Sequence, residues 1–181
     1  MKIVYLITNN SGKLLAAKKA FEGSGIELKQ LTGEFPEIQA DTSLEIARYT
    51  AIQVAKEKKV NVIREDHSLF INALGIPGPY TNYVEKRIPA QKMLELLKGK
   101  DRTGYFEIGT VYAEPNGLTK EFTYQVPIKI SEELKGTRGE WNKILMLKDS
   151  NKTFAESTEE ENANVWNKNF KKIVEYLKKL N

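Results

Sequence analysis

Apolar and polar positions in the first half of the chain predict strands that alternate with helices. Residues 2–8 are apolar on both faces of a strand, as expected for a central strand of a sheet. Residues 12–22 have the spacing of an amphipathic helix, and two glycines follow it. Thr42 and Glu45 have the spacing of a capping box that begins a helix reaching about residue 58. Further strands are predicted at 27–31 and 60–63, the latter leading directly into Glu65 and Asp66.

The second half has a different pattern. Residues 105–112 and 118–126 predict a β-hairpin, because Asn116-Gly117 between them favours a tight turn. Short strands are predicted at 128–130 and 144–147, a short helix at 89–98, and a closing helix from about residue 159. The predicted fold class is α/β, a mixed sheet with helices around it and no regular doubly wound repeat.

Composition narrows the class of protein. The 181 residues suit one domain, and hydrophobic residues at 40% with charged residues at 29% are ordinary for a globular protein. The net charge of +4 is mild, and the lysines of the last helix read as a solvated face, so we expect no nucleic-acid partner. There are no cysteines, which excludes disulfides and thiolate metal sites. No apolar run approaches the roughly 18 residues of a membrane span, so we expect no membrane partner and a cytoplasmic location.

A polar loop, T-N-N-S-G-K at residues 8–13, stands between the first strand and the first helix. Such a loop directs free backbone N–H groups and the positive end of the helix dipole to one point, where a phosphate can bind. Gly12 would let the phosphate approach the backbone, and Lys13 would neutralise it. The spacing is not that of a Walker loop. The alternative is an ordinary strand-to-helix turn capped by Asn10 or Ser11.

Three carboxylates suggest a metal. Glu65 and Asp66 are adjacent, and Glu37 comes from a distant loop. Mg²⁺ is held by one or two carboxylates together with substrate phosphate oxygens, and it stabilises charge as a P–O bond breaks. A carboxylate that is not fully committed to the metal can act as a general base toward water. The alternative is that the acidic pair is merely solvated.

Five segments together resemble the inosine triphosphate pyrophosphatases, and the archaeal-type variants look closest. They are T-N-N-S-G-K at 8–13, P-E-I-Q at 36–39, E-D-H-S-L-F at 65–70, P-G-P-Y at 77–80 and K-T-F-A-E at 152–156. Their order and spacing match that family over essentially the whole chain. The resemblance implies a single domain (1–181) with an elongated, two-lobed fold around a strongly twisted mixed sheet. It also implies a nucleotide in the cleft between the lobes, and a homodimer.

The resemblance also implies site residues and a reaction. Asp66 would be the proton acceptor that activates water, and cleavage between the α- and β-phosphates would release a monophosphate and pyrophosphate. A Mg²⁺ cofactor would be held by Glu37 and Asp66, with Glu65 nearby. The implied substrate-binding residues are Thr8, Asn9, Asn10, Ser11, Gly12, Lys13, His67, Trp141 and Asn142. For His67, a partly exposed bystander is the alternative to a phosphate contact. The P-G-P-Y segment would shape the cleft wall, form a dimer contact, or be a structural turn.

The chain departs from the family where the base is recognised. The G-F-G-[YW]-D-P block is represented by residues 139–143, in which Trp141 fits the aromatic position and Asn142 replaces the aspartate. The Ser-His-Arg triplet that reads a 6-oxo purine aligns with Val165-Trp166-Asn167. Losing polar partners weakens the rejection of wrong bases. Trp141 or Trp166 would stack on a base, with the core as the alternative for Trp166.

Two hypotheses for function follow. In the first, the protein is a Mg²⁺-dependent nucleoside triphosphate pyrophosphatase for ITP-, dITP- or XTP-like purines, with altered or relaxed base choice. In the second, it is a catalytically impaired homologue that binds nucleotide or phosphate.

Overall fold

A seven-stranded mixed sheet with helices on its faces forms the fold of the computed structural model, which describes residues 2–180. The strand order is β2-β1-β3-β5-β6-β7, and β4 pairs with β3. The strands are β1 Ile3–Ile7, β2 Glu27–Leu31, β3 Val62–Ile71, β4 Ile76–Gly78, β5 Thr103–Ala113, β6 Thr119–Ile130 and β7 Leu145–Leu147. The helices are α1 Ser11–Phe21, α2 Ser43–Lys58, α3 Thr81–Glu85, α4 Ala90–Leu96, α5 Glu159–Trp166 and α6 Lys168–Lys179. The predicted α/β class is confirmed.

Strand β1 is central, as its two apolar faces predict. It pairs in parallel with both β2 and β3, so that Tyr5 stands opposite Lys29 on one side and Val62 on the other. Val4 and Leu6 are buried on one face, while Ile7 is buried on the other. The polar loop that follows β1 therefore begins at the carboxyl end of a buried parallel strand, where ligand sites of such sheets commonly lie.

The chain divides into two compact units. The first comprises residues 2–66, 108–124 and 163–180 of the described chain. One core cluster of this unit joins α1 and α6 to Leu6 and Tyr112, and the other packs the alanines of α2 against Ile7 and Val111. Helix α2 begins at the predicted capping box, with Thr42 and Glu45 bonding each other reciprocally. Helices therefore cover both faces of the sheet in this unit.

The second unit comprises residues 67–107 and 125–162. Its largest buried side chain is Trp141, which lies in a short 3₁₀ turn, Trp141–Lys143. Arg102 braces this unit by donating to the backbone oxygens of Ile130, Leu97 and Ser131.

Several element boundaries differ from those predicted. Strand β3 runs through Glu65 and Asp66 instead of ending before them, because the ladder continues to the buried Leu69 and Ile71. Residues 128–130 are the end of β6, and the single predicted closing helix is two helices, α5 and α6, separated at the buried Asn167. Among residues 2–180, no helix is long and apolar enough to cross a membrane.

Candidate active site

The loop between β1 and α1 is held by its own side chains. Thr8 is buried, and its Oγ1 accepts a hydrogen bond from the backbone N–H of Asn10 at 3.0 Å. Asn10 is the N-cap of α1, and its Oδ1 accepts from the backbone N–H of Lys13 at 3.0 Å. Ser11 and Gly12 are exposed in the first turn, where backbone N–H groups have no partner inside the helix. A capped turn and a phosphate-binding loop, the two alternatives predicted from the sequence, are therefore compatible. The turn capped by Asn10 also presents the first-turn N–H groups that suit an anion.

Asn9 points away from the helix terminus. Its amide nitrogen donates to the backbone oxygen of Gly33 at 2.9 Å, and its Oδ1 accepts from the backbone N–H of Gly33 at 3.2 Å. The side chain thereby fastens the segment that leads to Glu37. In this arrangement Asn9 positions a loop, although the sequence predicted it to bind substrate.

Lys13 joins the loop to strand β3. Its Nζ donates to the backbone oxygen of Glu65 at 2.9 Å. Burial lowers the pKa of this ammonium group, while the negative charges of Asp66 and Glu65 oppose the shift. The nearby positive charge of Arg64 lowers the pKa further. Lys13 therefore sits where an additional anion would be favourable.

Glu65 and Asp66 are neighbours in a strand, and successive side chains of a strand point to opposite faces. The Glu65 side chain is only 1% exposed, and its Oε2 accepts from the Thr110 hydroxyl at 2.9 Å. Thr110 in turn accepts from the amide of the buried Asn169 at 3.0 Å. The prediction that Glu65 supports the metal is therefore not supported, because its carboxylate is committed to the protein interior.

Asp66 has the opposite character. Its Oδ2 is buried and has no hydrogen-bond partner among the described residues. Glu37 lies on an exposed loop, and its Oε1 accepts from Nη2 of Arg64. The sequence interpretation overlooked Arg64, although its place two residues before Asp66 puts both side chains on one face of β3. The site therefore contains Lys13, Arg64, Asp66 and Glu37.

These residues fit a magnesium ion only in part. Within residues 2–180, no three carboxylate or imidazole groups stand together as a ready metal site. Mg²⁺ does not require such a cage, because it usually keeps several waters and uses one or two carboxylates with substrate phosphates. The unpartnered Oδ2 of Asp66 suits this role, and the exposed Glu37 can supply a second oxygen. Glu65 does not fit.

Three of the predicted substrate-binding residues, His67, Trp141 and Asn142, lie in the second unit. Trp141 is 1% exposed, and its Nε1 donates to the backbone oxygen of Ile88 at 2.8 Å. The predicted stacking of Trp141 on a base is thus not supported, and the residue belongs to the core. Asn142 is exposed, while His67 is partly buried in β3. Trp166, in the first unit, packs against the α1–α6 core cluster, in agreement with the core alternative.

Comparison with known proteins identifies the family. The model of the Ham1 family matches residues 4–176. The chain belongs to the Ham1 family. Among curated Ham1-type relatives, the dITP/XTP pyrophosphatase of Thermococcus kodakarensis is 40% identical over 158 residues, covering 86% of this chain and 85% of that protein. The dITP/XTP pyrophosphatase of Methanopyrus kandleri is 37% identical over 168 residues, covering 91% and 89%. The resemblance found in the sequence is confirmed.

Solved structures of Ham1 proteins share the fold. The Ham1 protein of Staphylococcus aureus superposes with a TM-score of 0.76 at 22% identity, covering 99% of this chain and 100% of that one. The HAM1 protein of Coxiella burnetii gives a TM-score of 0.75 at 22% identity, with the same coverage. The mixed sheet with flanking helices is therefore the Ham1 fold.

Proposed function

We propose that this chain is a Mg²⁺-dependent nucleoside triphosphate pyrophosphatase that hydrolyses ITP-, dITP- or XTP-like purine nucleotides to the monophosphate and pyrophosphate. The observation that carries the proposal is the unpartnered buried Oδ2 of Asp66, in a site that also contains Lys13 and the capped N-terminus of α1. The names of the curated relatives support hydrolysis of a nucleoside triphosphate.

The phosphate chain would bind at the start of α1. The first-turn residues Ser11 and Gly12 are exposed, and the helix dipole places partial positive charge there. Lys13 donates one hydrogen bond to Glu65, and an ammonium group has three donors, so it can also reach a phosphate oxygen. Thr8 and Asn10 hold the turn in this conformation.

Asp66 would act as the general base. Its Oδ2 is free of protein partners in the described chain and can accept a proton from water. A bound Mg²⁺, held by Asp66 and Glu37, would orient the phosphate oxygens and offset the negative charge that develops there. The buried Glu65, which precedes Asp66 in β3, would help to hold this strand through its hydrogen bond from Thr110.

Base choice is the second part of the proposal. The relatives named above are dITP/XTP pyrophosphatases. In this chain Trp166 packs against the core, Asn167 is buried, and Tyr124 donates to the backbone oxygen of Val165 at 3.1 Å. Residues 165–167, committed to these contacts, offer few hydrogen-bond donors to the 6-oxo group of a purine. We therefore propose that selectivity among nucleotide bases is relaxed or altered.

The test compares nucleotides and variants. Purified protein is incubated with ITP, dITP, XTP and the four common nucleoside triphosphates, with Mg²⁺ or with EDTA, and pyrophosphate is measured. We expect Mg²⁺-dependent release, and Asp66→Asn should lower kcat by about two to four orders of magnitude. The exposed Asp149→Asn is the charge-matched control and should leave kcat unchanged. If the wild-type protein turns over no nucleotide but still binds one, the impaired-homologue hypothesis replaces this proposal.

We propose that the protein forms a homodimer, as the family resemblance implies, and that it is located in the cytoplasm, as its sequence pattern predicts. Light scattering after size exclusion tests the first point, because a monomer mass near the 20.6 kDa of the chain would contradict it. Cell fractionation tests the second.

A further inference from the structure

The guanidinium group of Arg64 is largely buried, and its hydrogen-bonding capacity is incompletely used. Nη1 donates to the backbone oxygen of Ile7 at 3.2 Å, and Nη2 donates to Glu37. The Nε atom is buried and has no hydrogen-bond partner among residues 2–180. A buried donor without an acceptor is unfavourable, and native structures rarely retain one without a reason. Arg64 therefore has capacity for an acceptor that the protein itself does not provide.

The two partners of this ion pair differ in exposure. The Arg64 side chain is 13% exposed, whereas the Glu37 side chain is 56% exposed and lies on a loop without helix or strand. Ion pairs with a solvent-exposed partner contribute little, because water competes for the charge. The carboxylate can thus return to water at small cost to itself, while the guanidinium group stays inside the site and then needs another acceptor.

The charges around Arg64 favour an anion. Its side chain shares a strand face with Asp66, at a separation of about 6.6 Å along the strand. Lys13 lies close enough for the positive charge of Arg64 to lower its pKa. Two cations held near each other repel, and a phosphate oxygen bound between them would relieve the repulsion. Arginine is also well matched to phosphate, because its planar fork can donate two parallel hydrogen bonds.

We propose that Arg64 is a phosphate-binding residue that exchanges partners: it holds Glu37 in the free protein and binds the phosphate chain of the nucleotide when that arrives. The exchange would leave the Glu37 carboxylate available as an oxygen ligand for a metal bound together with the phosphate chain. Free protein would therefore keep its two opposite charges mutually satisfied, and substrate would separate them. This inference rests on the proposed function.

Metal-free binding of inorganic pyrophosphate tests the exchange directly. Affinity is measured by isothermal titration calorimetry in EDTA, so that no catalytic turnover is involved. Arg64→Gln should weaken binding about ten- to hundredfold, as expected for losing hydrogen bonds to a charged group. Arg48→Gln is the control, because Arg48 pairs with Glu121, with Nε and Oε1 at 2.6 Å, and neither residue is among the charges that act on Lys13. It should bind pyrophosphate like the wild-type protein.

The Glu37 variant gives the sharper result. Glu37→Gln removes the competitor for Arg64, so metal-free pyrophosphate should bind about two- to fivefold more tightly. This gain should vanish in the Glu37→Gln/Arg64→Gln double variant. Glu34→Gln, which removes an exposed charge from the same loop, controls for a general change in electrostatic repulsion and should have no such effect.

Two results would overturn the inference: an Arg64→Gln protein with wild-type pyrophosphate affinity, or a Glu37→Gln gain that persists without Arg64. If Arg64→Gln does not fold, Arg64→Lys replaces it, since lysine keeps the charge but loses the fork, and it should bind at least threefold more weakly. Should the wild-type protein neither bind pyrophosphate nor hydrolyse any nucleotide, the proposed function fails as well. Wild-type activity with an unaffected Arg64→Gln variant refutes the role of Arg64 alone.

Discussion

Thr110→Val tests how the buried carboxylate of Glu65 is held. The Thr110 side chain is fully buried, donates to Glu65 at 2.9 Å and accepts from Asn169 at 3.0 Å. Valine has nearly the same shape but can neither donate nor accept. We expect the variant to fold and to be less stable.

The magnitude follows from the two hydrogen bonds. The Asn169 amide also donates to the backbone oxygens of Ile108 and Phe122, so it keeps acceptors after the substitution. The loss therefore falls on Glu65, and a hydrogen bond to a charged buried group is worth about 1.5–3 kcal/mol. Unfolding of Thr110→Val should require about 2 kcal/mol less free energy than unfolding of the wild-type protein.

The assay is urea denaturation at pH 7, followed by circular dichroism, with Thr50→Val as the matched control. Thr50 is equally buried, but its hydroxyl donates to the neutral backbone oxygen of Pro36 at 2.8 Å. That bond is worth about 1 kcal/mol, so Thr110→Val should be the more costly change. In a Glu65→Gln background the cost of Thr110→Val should fall by about 1 kcal/mol, which isolates the contribution of the charge.

Equal costs for the two valine variants would refute the reasoning. They would mean that the Glu65 carboxylate gains no more from Thr110 than a neutral carbonyl gains from Thr50. An unchanged cost in the Glu65→Gln background would lead to the same conclusion.

Three further predictions concern the phosphate loop, the core and a surface ion pair. Gly12→Ala should change the free energy of unfolding by less than about 1 kcal/mol, because alanine favours the helix while its Cβ would crowd the capping oxygen Asn10 Oδ1 at 3.2 Å; it should raise KM if phosphate approaches this backbone. Trp141→Phe should lower unfolding free energy by about 1–3 kcal/mol in urea while KM for nucleotide stays constant. Glu121→Gln should destabilise by up to about 1 kcal/mol at pH 7. The hydrogen bond from Arg48 holds the pKa of Glu121 below its ordinary 4.5, so this deficit should vanish as pH falls through that lowered value.

Each of these predictions has a contrary outcome. If Gly12→Ala has an unchanged KM, measured by pyrophosphate release, the phosphate does not bind against the backbone at the start of α1. A raised KM in Trp141→Phe at wild-type stability would restore the base-stacking role. For Glu121, stability curves of variant and wild type that stay parallel from pH 7 to pH 3 would contradict the sign of the pKa shift. The contribution of the ion pair is complete above the unfolded pKa and must disappear as the native carboxylate is protonated.

Local patterns were sufficient to predict α2 and the central position of β1. Helix α2 begins at its capping box and β1 is apolar on both faces, and both signals lie within a few adjacent residues. The extent of β3 was not accessible in this way, because carboxylates disfavour strands and only pairing with neighbours keeps Glu65 and Asp66 in one. The core position of Trp141 likewise depends on Ile88, which lies 53 residues away.

The candidate site was also only partly predictable, because it too depends on how far β3 extends. Lys13 and Asp66, which the resemblance named, lie close enough for the Asp66 charge to oppose the lowering of the Lys13 pKa by burial, whereas their roles stay predictions. The resemblance could not distinguish the environments of Glu65 and Asp66. These differ because successive side chains of a strand point to opposite faces, and the predicted strand ended at residue 63, before both of them. Arg64 was overlooked for the same reason, since its relation to Asp66 exists only if the strand continues.

The alternation of side chains along β3 also explains why two adjacent carboxylates have different environments: Glu65 is bonded within the protein, while Asp66 keeps an oxygen without a partner among the described residues. Glu65 is buried and its carboxylate accepts a hydrogen bond from Thr110, while its backbone oxygen accepts one from Nζ of Lys13. Asp66, one residue further along the strand, points to the other face, where its Oδ2 has no hydrogen-bond partner among the described residues. The position of this segment is thus set by hydrogen bonds that involve none of the residues predicted to recognise the base.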